Sequence, residues 1–176
     1  MITLRDLSRD DIPTINKWRQ DPEVSDGIGA PRRFIGLDVD LKWYDDYLAR
    51  RGSGIEVRCA VLLADSGELA GMVSLTRIDY LHRNAEYNAM VGATRGRGVG
   101  TAATKAMVRH GFFDLNLHRI YVSIVRDNVA SIKMCANAGF REEGIIRDGA
   151  YKNGRYHDMV LMGVLKADVP PTGAGR

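Results

Sequence analysis

A chain of 176 residues, 45% hydrophobic and 27% charged, has the length and make-up of one globular domain with a real core. Its net charge of +3 suits an anionic ligand but is too small to argue for nucleic acid, and no basic run with interleaved aromatics is present. No apolar run approaches a membrane span, the charges within the first six residues leave no room for the apolar stretch of a signal peptide, and Cys59 and Cys135 sit in apolar segments and read as reduced, buried thiols of a cytoplasmic protein.

Residues 2–7 alternate as a strand does. Ser8 opens a helix as its cap, with Asp10 and Asp11 in the first turn and Pro13 near the start. Ile12, Ile15 and Trp18 share a face of this helix, and Asp21-Pro22 ends it, because the residue before proline leaves the α region. Residues 24–38 read as irregular, either a plain surface connection or a loop over a substrate site. A second helix spans 40–51. Strands at 56–63 and 69–78 flank the turn Asp65-Ser66-Gly67-Glu68, and a third antiparallel strand follows at 85–91.

A helix over 101–113 and a strand over 117–125 come next. Asn128 or Asp127 caps a short helix over 129–137, which Gly139 stops. Strands at 140–147 and 151–165 form a last hairpin around Lys152-Asn153-Gly154, and 169–176 reads as a disordered tail. The expected order is β-α-α-β-β-β-α-β-α-β-β, a single domain over 1–168 with helices on the faces of a mixed sheet.

Arg95-Gly96-Arg97-Gly98-Val99-Gly100-Thr101 joins the strand at 85–91 to the helix that follows. Strand, glycine-rich turn and helix N-terminus together aim unpaired N–H groups and the positive end of a helix dipole at one point, a site for a pyrophosphate. A nucleotide P-loop is excluded, since Gly100 is followed by Thr101-Ala102 rather than by Lys and a hydroxyl residue. A dinucleotide fingerprint is excluded because the third glycine is not at its required spacing. The pattern that matches is R-x-x-G-x-G, read as Arg95, Gly98 and Gly100.

This loop resembles the acyl-CoA pyrophosphate loop of the GCN5-related N-acetyltransferase (GNAT) superfamily. The match tightens in the second half. Phe113-Asp114-Leu115-Asn116-Leu117-His118-Arg119-Ile120, then Asn128 and Ser131, Gly139-Phe140, Glu143-Gly144 and residues 148–158 are similar to the RimJ/RimL-like branch. That branch acetylates N-termini of ribosomal proteins and, more widely, small amines and amino sugars. The resemblance implies the GNAT fold, a mostly antiparallel twisted α/β sheet whose fourth and fifth strands splay apart in a V. It also implies acetyl-CoA as the donor. The pyrophosphate is expected on the backbone of Arg97, Gly98, Val99, Gly100 and Thr101, with Arg95 and Gly96 completing the loop. The pantetheine arm is expected along open backbone groups around Met90 and Val91, in the manner of an added strand. Asn128 is expected against the cofactor or as a plain helix cap, and Ser131 lies one turn further on.

Acetyl transfer needs a neutral amine, hence a base or a water chain, N–H donors for the carbonyl oxygen, expected near Met90, and a fate for the thiolate. Many relatives carry a Tyr acid seven residues after the helix Asn; here that position is Cys135, which reads as packing, and Ser131 becomes the candidate acid. The branch's usual basic Glu falls on Ala150, ahead of Tyr151, so Glu86 is the candidate base and His157 a weaker one. Tyr80, His82 and Tyr156 are candidates to line the acceptor pocket. No metal-ligand spacing is present.

The expected acceptor is a primary amine of a small molecule (polyamine, amino sugar, aminoglycoside or amino acid). A protein N-terminus and a non-catalytic acyl-CoA-binding module are the alternatives. Neither nucleic acid nor membrane is an expected partner, and a homodimer is compatible with the branch.

Overall fold

The computed structural model describes residues 1–25, 27, 34–92 and 97–170. Seven strands form one sheet: β1 (Ile2–Asp6), β2 (Val57–Leu63), β3 (Leu69–Asp79), β4 (Asn84–Val91), β5 (Arg119–Val125), β6 (Arg141–Lys152) and β7 (Arg155–Leu165). Their spatial order is β1-β2-β3-β4-β5-β7-β6. Every neighbouring pair is antiparallel except β4 and β5. That exception follows from chain order, since a helix crosses over between these two strands. The helices are α1 (Ile12–Gln20), α2 (Pro22–Ser25), α3 (Leu37–Arg51), α4 (Val99–Arg109) and α5 (Val129–Asn137).

The strands alternate their side chains between two faces, and each face buries its own core. One cluster joins Val73, Leu75, Tyr87 and Ile120 of the sheet to Ala103, Met107 and Cys135 of α4 and α5, and to Phe112. The other joins Ala60, Met72 and Met90 to Ile12, Ile15, Tyr44 and Tyr47 of α1 and α3. A fully buried side chain such as Phe112 contributes about 2–3 kcal/mol by area. The expected helices on both faces are therefore present. No described helix is long and apolar enough to cross a membrane.

Local chemistry sets the ends of these elements. The Asp11 carboxylate accepts the Ser8 peptide N–H at 2.8 Å and is gripped by Arg5 at 2.7 Å, fixing the entry to α1. Proline at residue 22 ends α1 as expected, but the chain turns directly into α2, which takes up residues 24 and 25 of the stretch expected to be irregular, and α3 takes up 37 and 38; residues 26 and 28–33 of that stretch lie outside the described residues. α4 begins two residues earlier than expected, at Val99, and closes in a π-turn over His110–Asp114. β6 does not stop at residue 147. It runs through a bulge between Ile146 and Ala150, where Asp148 takes φ +51°, and continues to Lys152. Of the expected tail, Val169 packs on the core and the Pro170 carbonyl meets Arg109; residues 171–176 lie outside the described residues.

Candidate active site

β4 and β5 pair over three positions only, from Asn84↔Arg119 to Glu86↔Tyr121. Beyond them the strands diverge, while each keeps its outer partner: β4 stays on β3 as far as Gly71↔Val91, and β5 stays on β7 as far as Val125↔Met159. The result is a wedge-shaped cleft of about 570 Å³ between two open backbone edges.

Ladder parity decides which peptides face it. The Gly92 N–H donates to the Ala70 carbonyl, so residues 92, 90 and 88 turn their peptides toward β3, and Ala89 and Val91 turn theirs into the cleft. Likewise Arg126 N–H donates to Asp158 and Lys166 N–H to His118, so Ser123 and Val125 face the cleft from β5. The Val125 carbonyl is taken by the Asn128 N–H at 2.8 Å. Of the expected pair, Val91 thus offers its backbone, while Met90 pairs with Met72 and buries its side chain in the α1–α3 core. Ala89, not singled out from the sequence, takes its place.

α4 closes the wide end of the wedge. Gly98, at φ +73°, stands at the helix cap, where an L-residue is strained, and among the described residues no side chain caps the helix. The first helical bond runs from Ala102 N–H to Gly98, which leaves the N–H groups of Val99, Gly100 and Thr101 without helical partners at the positive end of the dipole. All three residues line the cleft. A Cβ at Gly100 would sit 2.6 Å from Met134 Sδ, so the absent side chain lets α4 and α5 converge here. Tyr87 O–H donates to Thr104 Oγ1 at 2.8 Å, and Thr104 donates to the Gly100 carbonyl at 2.7 Å, tying the first turn of α4 to the fork. Arg97 lies beside this turn and is exposed; Arg95 and Gly96 lie outside the described residues.

α5 forms the other wall. Asn128 accepts the Ser131 N–H at 3.0 Å, capping the helix, and donates to the Gly27 carbonyl at 2.7 Å. Both polar atoms of Asn128 therefore have partners in the protein. Ser131 lines the cleft. Cys135 is 1% exposed, and burial pushes its thiol up to about 12. Burial also raises Cys59, to about 11. Both folded-state values exceed the unfolded value of about 8.5, so this part of the stability is fully present below that pH and is lost as pH rises toward the folded values. Urea titrations at pH 7, 9 and 10 are expected to show falling stability, with a shallower fall in Cys135→Ala.

The other candidates are not brought together. Glu86 is the last residue of β4 paired with β5; it lies outside the cleft lining and its carboxylate is 3.4 Å from Arg77. Tyr80 and His82 sit in the β3–β4 turn, where Tyr80 O–H donates to Gly54 at 2.9 Å. β4 runs from that turn toward the cleft, so both stand at its closed end. Tyr156 packs edge-on against Tyr151 at the exposed hairpin tip and lines neither cavity. A second cavity of about 360 Å³ adjoins the cleft, sharing Gly27, Val125 and Asn128 and adding Asp127, Lys152 and His157. The His157 ring nitrogens stand 3.1 Å from Asp127 and 3.2 Å from the Lys152 carbonyl, so both are engaged in holding the hairpin.

A splayed parallel pair with free peptide edges, meeting an uncapped helix N-terminus, defines an acyl-CoA-dependent transferase site. The family model of the acetyltransferase (GNAT) domain matches residues 1–141. A spermidine N(1)-acetyltransferase of Escherichia coli is 32% identical over 173 residues, 92% of this chain and 84% of the relative. A putative ribosomal N-acetyltransferase of Bacillus subtilis is 38% identical over 117 residues, and the match spans 66% of this chain and 62% of that protein. The solved spermidine N-acetyltransferase from Vibrio cholerae, in complex with CoA and spermine, superposes with a TM-score of 0.85 at 27% identity, covering 95% of this chain and 96% of that one.

The chain belongs to the GNAT acetyltransferase family, and it is an acetyl-CoA-dependent N-acetyltransferase.

Proposed function

We propose that the protein acetylates a primary amine of a small molecule, with polyamines the first class to try. The observation that carries this is the wedge itself: the peptides of Ala89 and Val91 can pair a pantetheine arm as an added strand, and the N–H groups of Val99 to Thr101 can hold the pyrophosphate. The two spermidine acetyltransferase relatives support the acceptor class. A protein N-terminus is the second reading, favoured by the Bacillus subtilis relative.

In the reaction the neutral amine attacks the thioester carbonyl, a cleft-facing N–H of Ala89 or Val91 steadies the oxygen, the C–S bond breaks, and the thiolate takes a proton. Ser131, lining the cleft from α5, is the proton donor. The amine's proton leaves through water toward Glu86, which sits at the fork but outside the cavity. Cys135 stays a thiol and forms no acyl-enzyme. Two free thiols suit a reducing compartment.

CoA release from acetyl-CoA, followed against spermidine, amino sugars, an aminoglycoside, amino acids and Ser- or Ala-starting peptides, tests the reading. Turnover is expected with one amine class; turnover with the peptides alone would replace the small-molecule acceptor. Ser131→Ala is expected to lower kcat about 100-fold with the acetyl-CoA KM unchanged. Cys135→Ala should keep activity, and intact mass after acetyl-CoA alone should show no 42 Da adduct.

A further inference from the structure

The wall between the cleft and the second cavity is held from behind by two side chains that no step of the reaction uses. Lys152, near the end of β6, is 4% exposed, and its ammonium donates to the Ser25 carbonyl at 2.6 Å. Asn128 donates to the Gly27 carbonyl at 2.7 Å. Val24 is buried against α1 and α3 on one side and lines the cleft on the other, and Gly27 lines both cavities. A Cβ at Gly27 would stand 3.1 Å from Asn128 Nδ2, so the approach is close by construction. Lys152 itself is set by its hairpin: its carbonyl meets His157, whose other nitrogen, like Arg155, reaches Asp127, the residue before the α5 cap.

We infer that the second cavity takes the acceptor amine and that Lys152, with Asn128, is a positioning residue for it: the two side chains lock Ser25 and Gly27 to the β6–β7 hairpin and the α5 cap, so that this cavity is aligned with the cleft. This rests on the acetyltransferase reading. The physical reason is that a carbonyl held by a buried ammonium gives a strong, directional bond. The groups proposed to hold acetyl-CoA, the peptides of Ala89 and Val91 and the N–H groups of Val99 to Thr101, are not bonded to Lys152.

Three variants separate the roles. Lys152→Met removes the pin but keeps the aliphatic bulk, and Lys152→Arg restores a cationic donor. Asn128→Asp keeps the oxygen that caps Ser131 but sets an acceptor against the Gly27 carbonyl. Hydrogen exchange at Val24, Ser25 and Gly27, read without any amine, is expected to quicken at least tenfold in Lys152→Met and in Asn128→Asp. With the best amine from the panel, Lys152→Met should raise the acceptor KM at least tenfold, leave the acetyl-CoA Kd within twofold, and be partly rescued by Lys152→Arg. Unchanged exchange at these amides overturns the pin. An unchanged acceptor KM, or an equal loss of acetyl-CoA affinity, overturns the positioning role. Absence of turnover by the unmodified protein with every amine counts against the functional reading, and the exchange experiment still decides the pin.

Discussion

Gly98→Trp is expected to weaken acetyl-CoA binding by at least about 30-fold, or about 2 kcal/mol, which is the scale of one or two charge-assisted hydrogen bonds. The indole would project from the residue that caps α4, across the N–H groups of Val99, Gly100 and Thr101. Among the described residues nothing lies within 4 Å of the Cβ position at residue 98. The left-handed φ of +73° costs any side chain here about 1–2 kcal/mol in folding. Gly98→Ala isolates that cost, since it carries the strain without the bulk; it should lose stability alike and keep acetyl-CoA affinity nearly intact. Calorimetric titration of both variants, with thermal melts, reads the two effects apart. Wild-type affinity in Gly98→Trp would remove the anion site from this helix end.

Gly71→Ala should be the most damaging of the small substitutions, destabilising the fold by about 2–3 kcal/mol and lowering Tm by roughly 5–10 °C. A Cβ there would sit 2.7 Å from the Met90 carbonyl oxygen and 3.4 Å from Val91 Cα. Those are backbone atoms of the adjacent strand and cannot swing aside. The strand pair would have to separate at Gly71↔Val91, next to the peptide that edges the cleft, so acetyl-CoA affinity should fall as well. Gly144→Ala is the matched control. It is also a strand glycine, yet among the described residues nothing lies within 4 Å of its Cβ position. There the change should be neutral or stabilising by up to about 1 kcal/mol, through the unfolded chain alone. Urea denaturation of the pair checks the contrast; equal stabilities for the two would mean that β3 can shift relative to β4.

The amino-acid sequence by itself determined the elements whose cause is local. Pro22 ended α1, Gly67 turned the β2–β3 hairpin at φ +70°, Asn128 capped α5, and Gly98 at φ +73° opened α4. Each depends on the conformational range or hydrogen-bonding reach of a residue within a few positions of itself. The motif order around Gly98, Asn128 and Gly139-Phe140 carried the family for the same reason, since the residues proposed to make the anion site are contiguous.

Only the tertiary structure decided what depends on register and on distant chain. Whether Met90 or Ala89 faces the cleft is a question of ladder parity, and a shift of one residue between β3 and β4 would exchange them. Tyr80 and His82 were placed near an acceptor by residue type, but the direction of β4 carries them to the closed end of the fork. Lys152 has no signal in the sequence, because its carbonyl partner lies 127 residues away, and the Gly27 partner of Asn128 lies 101 away. Such contacts are set by how two separately specified elements pack, and packing is a property of the assembled sheet and its two cores rather than of any one segment.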